Sequence, residues 1–355
     1  MKSTTSSHKN ESGKAAAKKA GSGKSPATRP LKKKPKAPPP QTPIQHVVII
    51  FKENHGFDNY FGTFPGANGV ANLPHLPDPP LNDPLHTHEA WLKRSTNAVK
   101  GQYHQSDIPN YFALAKQFTL CDNYYTDVAG PSTPNHLMLI AADSPVINNP
   151  HISDPKKFRP PFNIPSLPEN LLKAGIEWKN YGGYIFDYIT HLIGNPRNVS
   201  AGRFAIDAAA GKLPPVSWVY GAKNRSEHPT ENVMDGDAWS AAQIRAIIQG
   251  GLWPSTAIFI TWDDWGGWYD HVNPPEVEKW TDGTQFRYGN RVGCIVVSPY
   301  AKSGYISKAL HSHISLLRCC ETIFGLAAIN QRDKNADNMF DCFDFSQKPL
   351  PPPKL

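Results

Sequence analysis

No stretch of this 355-residue sequence approaches the roughly 18 consecutive apolar residues that a membrane-spanning helix needs. The N-terminal segment also lacks the apolar core of a secretory signal, so a standard export route is not indicated and the expected location is cytoplasmic. Cysteine is scarce. Cys121, Cys294, Cys319, Cys320 and Cys342 make an odd number with no CxxC pair, and most sit among apolar neighbours. This argues against a disulfide framework or a zinc cluster and predicts buried thiols. No internal repeat is visible.

Acidic residues are nearly absent from the first 40 positions, which carry eleven Lys/Arg against Glu11 alone. The remaining 315 residues hold 26 basic and 29 acidic side chains, so the formal charge of +7 belongs to the tail and not to the body. That tail has no large apolar residue except Leu31 and cannot bury enough surface to fold. Its LKKKPK run admits two readings, contact with a polyanion or a solubilising linker. The expected organisation is a basic Lys/Pro-rich tail over 1–43, a folded domain over 44–346 and a Pro-rich extended end over 347–355. With 39% hydrophobic residues, the chain has material for a substantial core.

Two apolar runs end in the same unusual way. HVVIIF (46–51) hands the chain to Glu53 and Asn54, and STAIFI (255–260) leads to Asp263 and Asp264. Both read as buried strands. Adjacent carboxylates repel, and burying either without a partner is costly. Further strands are expected within 177–184, 214–220 and 291–299, with helices within 108–118, 170–175, 238–251 and 311–326. Strands alternating with helices predict an α/β fold, a mostly parallel sheet with helices on both faces. Ligand sites gather at the carboxyl ends of such strands, so the two oxygen-rich ends point to one shared site. The irregular, histidine-containing segment 63–107 is expected to line it.

Gly130, Pro131 and Pro134 pin a tight turn around Ser132 and Thr133, and the apolar HLMLIAA that follows reads as a buried helix or strand. A hydroxyl at a helix start sits where backbone N–H groups and the helix dipole favour an anion. A cation among Glu53, Asn54, Asp263 and Asp264 would relieve their repulsion, and an all-oxygen set suits Mg, Ca, Mn or iron better than zinc.

At these residues a resemblance becomes visible. ENHGFDNYFG resembles the ENRSFDxxFG signature that opens the phosphoesterase family of bacterial phospholipases C and related acid phosphatases. GPSTPNHLMLIA is similar to that family's nucleophile segment, and SEHP (226–229), TWDDWGGWYDHV (261–272), RVGCIVVSPYAKSGYIS and HSHISLLRCCETIFGL match its later blocks in order. The resemblance implies an alkaline-phosphatase-like α/β fold and metal-assisted phosphoester hydrolysis. By position it makes Glu53, Asn54, Asp263 and Asp264 divalent-metal ligands and Ser132 both ligand and nucleophile. His228 matches a site histidine; a DPxH-like step points to His86, with His88 as its rival. Asn135 and His136 are expected to help hold the phosphoryl group. His55-Gly56 departs from the Arg-Ser usual in the signature, and Thr133 offers a second hydroxyl in the turn.

The substrate class stays open between a small phosphomonoester and a lipid or other phosphodiester. The absence of anything substantial after residue 345 tilts the expectation toward a small soluble phosphatase or diesterase. The alternative is a phosphoesterase fold kept as a binding module and anchored to polyanions by its tail. The aromatics Phe57, Tyr60, Phe61, Trp262, Trp265, Trp268 and Tyr269 are expected to pack loops more than to line a pocket. His311 and His313 are expected to cap a helix or sit in the core, and His271 either packs near the site or takes part in catalysis.

Overall fold

The computed structural model describes residues 42–355, so the basic tail lies, but for its last two residues, outside the described residues. The strands among them are β1 (His46–Lys52), β2 (Thr119–Cys121), β3 (Tyr124–Tyr125), β4 (Trp178–Tyr181), β5 (Asn198–Val199), β6 (Val216–Tyr220), β7 (Thr256–Trp262), β8 (Glu278–Lys279), β9 (Gln285–Arg287), β10 (Cys294–Val297), β11 (Tyr305–Ser307) and β12 (His311–Ser312). Eight of them form one sheet in the order β11-β2-β10-β7-β1-β6-β4-β5. β1 and β7 are long, apolar and β-branched, and they pair in parallel from His46↔Thr256 to Lys52↔Trp262, with β6 parallel on the other side of β1. Continuous apolar sequence belongs in the middle of such a sheet, where both faces are covered.

Helices cover both faces. Phe51 and Lys52 are consecutive and so point to opposite sides. The Phe51 ring meets His136 of the helix Ser132–Ala141 and His313 of the helix His313–Phe324, both at 4.9 Å. Lys52 instead lies over Trp239 of the helix Val233–Gln249. One strand breaks the parallel pattern: β10 runs antiparallel to both β7 and β2. No helix intervenes between β7 and β10, so the chain loops at the carboxyl end of β7 and returns through the sheet from that same end.

Element ends differ from the sequence expectation for local reasons. The helix expected from 238 begins at Val233, because the Asn232 side chain accepts a hydrogen bond from the Asp235 N–H at 2.8 Å. The strand expected to reach residue 184 stops at Tyr181, where Gly182 turns to φ +94°. Residues 347–355 have no regular secondary structure, yet the Leu350 carbonyl accepts from the Trp253 indole at 3.0 Å and pins that end to the body. Among the described residues no helix is long and apolar enough to cross a membrane.

Candidate active site

The carboxyl ends of β1 and β7 lie side by side, and the Asp263 N–H donates to the Lys52 carbonyl at 2.9 Å, one step past the ladder. Asp263 and Asp264 follow with no exposure. Asp263 Oδ1 accepts from the backbone N–H of Asn54 (2.8 Å) and of Asp264 (2.7 Å), while Asp264 Oδ1 accepts from the Gly266 N–H (2.7 Å). Asn54 is left-handed (φ 59°), a conformation that Asn tolerates better than most residues. The loop after Asp264 then folds back onto it, and only glycine fits. A Cβ on Gly266, itself at φ +59°, would stand 2.0 Å from the Asn54 carbonyl oxygen. Gly266→Ala should therefore cost about 2 kcal/mol or more and, by shifting Asn54, lower kcat/KM by about 100-fold. Gly283, also at positive φ but with open space around it, is the control; its alanine variant should leave kcat/KM unchanged.

Ser132 opens the helix Ser132–Ala141 and is 7% exposed. Its hydroxyl donates to Asp264 Oδ2 at 3.0 Å and lies 3.4 Å from Asn54 Oδ1. The Asn54 amide also donates to His86 Nε2 (3.2 Å) and His228 Nε2 (3.1 Å). Each imidazole spends its Nδ1–H on a carbonyl of its own loop, His86 on Pro84 and His228 on Pro229, both at 2.7 Å. Nε2 is thereby turned toward Asn54 in both rings.

His136, one turn along the same helix, donates to Asp263 Oδ2 at 3.1 Å and lies 3.7 Å from Glu53 Oε1. The carboxylates divide accordingly. Burial raises the Asp263 pKa, but the hydrogen bond and charge of His136 outweigh it and hold the group below the usual range. Burial and the neighbouring Asp263 push Asp264 up to about 7 and Glu53 well above the ordinary value. Three close carboxyl groups have one imidazole to offset them, and their oxygen donors fit a hard divalent cation.

Two expected site residues go elsewhere. His88 bonds the Ala129 carbonyl (2.6 Å) through Nδ1 and Thr284 (2.9 Å) through Nε2, which leaves neither nitrogen for the site. Asn135 faces back into its own turn, accepting from the Val128 N–H at 2.8 Å and donating to the Pro131 carbonyl at 3.0 Å. It shapes the Ser132 turn, with its side-chain oxygen and nitrogen both bonded to the backbone there. Thr133 is likewise engaged, its N–H with Asn149 and its hydroxyl with Tyr184. His136 is among the carboxylates, against Asp263 and Glu53. His271 bonds Asp58, in a cluster with Asp270 and Arg291, and so packs apart from Ser132.

The aromatics mostly pack. Phe57, Tyr60, Phe61 and Trp262 are fully buried, and the indoles of Trp265 and Trp268 donate to the carbonyls of His86 and Asn54. They are the clamps that hold the 84–86 loop and the β1 end together. Sequence reasoning missed one element, the buried pair of Lys52 and Glu227 beneath His228. An acidic residue beside a motif histidine was the available signal.

A mostly parallel sheet carrying buried carboxylates, an amide and a helix-start serine at its carboxyl edge is an alkaline-phosphatase-like α/β fold. Solved structures agree on the fold: murine ectonucleotide pyrophosphatase/phosphodiesterase 5 superposes with a TM-score of 0.50 at 10% identity, over 84% of this chain and 100% of that one. The model of the Phosphoesterase family matches residues 44–81 and 81–327, and the chain belongs to that family, the hydrolases of phosphoric esters. Phospholipase C A of Mycobacterium tuberculosis is 27% identical over 87% of this chain and 78% of its own length. Non-hemolytic phospholipase C of Pseudomonas aeruginosa is 26% identical over 81% of this chain and 55% of that protein.

Proposed function

We propose that the chain cleaves a phosphodiester through attack by Ser132, with a divalent cation held by Glu53, Asn54, Asp263 and Asp264. The observation that carries this reading is the Ser132 hydroxyl, buried at a helix start and aimed at Asp264 with two imidazole Nε2 atoms around Asn54 beside it. When bound, the cation (Mg, Ca, Mn or iron) offsets charge on the phosphoryl oxygens and lowers the pKa of the attacking hydroxyl.

The chain's own residues do the rest. The Ser132 proton moves along the existing hydrogen bond to Asp264, and Oγ attacks phosphorus in line, giving a phosphoseryl group. The Asn54 amide donates to a phosphoryl oxygen, in place of the imidazoles it now meets. The leaving alkoxide takes a proton from Nε2 of His86 or His228 in its imidazolium form. Burial lowers the His86 pKa, but Asp264, the bond to the Pro84 carbonyl and Asp83 outweigh it and raise it above the ordinary imidazole value. In the second half the same Nε2 accepts a proton from water, water attacks phosphorus, and Ser132 leaves with the proton held at Asp264.

Two observations favour a diester with a lipid headgroup. The relatives above are named phospholipases C. Leu81 and Leu85, on the loop that carries His86, are each 80% exposed and offer an apolar rim. A binding module has no use for a nucleophile with its proton acceptor in place, which speaks against a site kept only for polyanions. The test is hydrolysis of p-nitrophenyl phosphorylcholine beside p-nitrophenyl phosphate, after chelation and with each cation restored. Turnover should vanish on chelation, return with one cation and run faster on the diester. Chelation-resistant turnover would overturn the metal, and a monoester preference would overturn the diester.

A further inference from the structure

A second constellation lies at the opposite edge of the sheet order from β5, where the C-terminal segment crosses β2 and β11. Cys121 of β2, His311 of β12 and Cys342 bring their ligand atoms within 4.8 Å of one another, and all three are buried. Cys121 Sγ and Cys342 Sγ are 3.6 Å apart, Cys342 Sγ is 3.5 Å from Asp341 Oδ1, and that oxygen is 3.3 Å from His311 Nε2. From these contacts we propose that Cys121, Cys342, His311 Nε2 and Asp341 form a tetrahedral zinc site separate from the active site.

The distances support it. Zinc bonds of about 2.3 Å to sulfur and about 2.0–2.1 Å to nitrogen or oxygen, set tetrahedrally, give edges of about 3.8 Å (S–S), about 3.6 Å (S–O) and about 3.3 Å (N–O). The three edges present here follow that order and nearly those lengths. The surroundings match as well. His311 Nδ1 lies 2.9 Å from Asp337 Oδ1, so a carboxylate stands beside the far nitrogen of the ligating imidazole. Ser307 donates to Asp341 Oδ2 and so holds the carboxylate by its other oxygen; its 3.0 Å contact with His311 Nε2 is the one that zinc replaces. Asp341 and Asp337, at 28% and 39% side-chain exposure, give the cation an acidic way in. Binding discharges the two thiol protons and the His311 Nε2 proton to solvent.

Sulfur and imidazole ligands also separate this site from the all-oxygen set at β1 and β7, because soft donors select zinc over Mg or Ca. The ion would fasten the segment around Cys342 to β2 and to β12. β12 leads directly into the helix of His313, whose Nε2 donates to the Asp263 carbonyl at 2.8 Å, so the clamp also braces the active-site end of β7.

The experiment uses the full chain made in zinc-supplemented medium, in an Asp263→Asn/Asp264→Asn background that removes the active-site cation. Elemental analysis should find about one zinc per chain there, and none after Cys342→Ser or Asp341→Asn. Wild-type protein reconstituted with cobalt should show thiolate-to-cobalt charge transfer and the intense visible bands of a tetrahedral ion, a readout that needs no variant to fold. Zinc content unchanged by the substitutions, a cobalt spectrum without the thiolate band, or a Cys121–Cys342 disulfide in unreduced peptide maps would each overturn the proposal.

Discussion

Ser132→Ala is expected to lower kcat by about 10⁴-fold or more with KM nearly unchanged, because it removes the atom that forms the covalent intermediate and little that binds the ground state. The neighbouring hydroxyl cannot substitute. Thr133 is held 3.3 Å from the Tyr184 hydroxyl, and its N–H is committed to Asn149, while Ser132 alone of the two reaches Asp264. Thr133→Ala should accordingly stay within about 10-fold of wild type. Initial rates on a chromogenic diester measure both, and acid-quenched protein should carry phosphate on Ser132 in wild type and nowhere in Ser132→Ala. A dead Thr133→Ala beside an active Ser132→Ala would exchange the two roles.

What the sequence made legible follows from two kinds of local signal. The apolar runs ending at Lys52 and Trp262 could only be buried strands, and carboxylates at such ends need a compensating charge, so both the centre of the sheet and the acidic half of the site were readable. The glycine and prolines around Ser132 likewise marked a tight turn, though not whether a helix or a strand followed it. Side-chain direction was not readable. Asn135 and His136 are neighbours in one motif, yet about 100° of helical turn sends one back to the Val128 carbonyl and the other to Asp263. His86 and His88 differ by two positions, and only the fold decides that the first meets Asn54 while the second meets Ala129. The antiparallel course of β10 depended on how a loop without a helix returns to the sheet. The Cys121, His311 and Cys342 cluster was invisible for a related reason: its members lie far apart in the chain, and spacing rules for metal sites detect only ligands carried on one short segment.

The buried pair below the histidines should be the most sensitive point for stability. Lys52 Nζ and Glu227 Oε1 are 3.0 Å apart with neither side chain exposed. Glu227 also accepts from Tyr111 (2.5 Å), Tyr60 (3.0 Å) and the Trp262 indole (2.9 Å), so one carboxylate ties the ends of β1 and β7 to the loop that carries His228. Burial lowers the Lys52 pKa, and Glu227 opposes that shift more than any other group. Glu227→Ala leaves an ammonium without its counter-charge and orphans the Tyr60 hydroxyl and the Trp262 indole, while Tyr111 keeps Ser240 at 2.8 Å; it should cost about 3–5 kcal/mol, a large share of the roughly 5–15 kcal/mol that holds a domain folded. Lys52→Met leaves the carboxylate with its three other donors and should cost less. In the double variant Lys52→Met/Glu227→Ala the stranded charge is gone while the two orphaned donors stay, so part of the loss should return, and the sum of the single losses should exceed the double. Urea unfolding of the four proteins reads these terms directly. If Glu227→Ala lost less than about 1 kcal/mol, the pair would have to be solvated in the folded state, and the anchor it provides for His228 would fall with it.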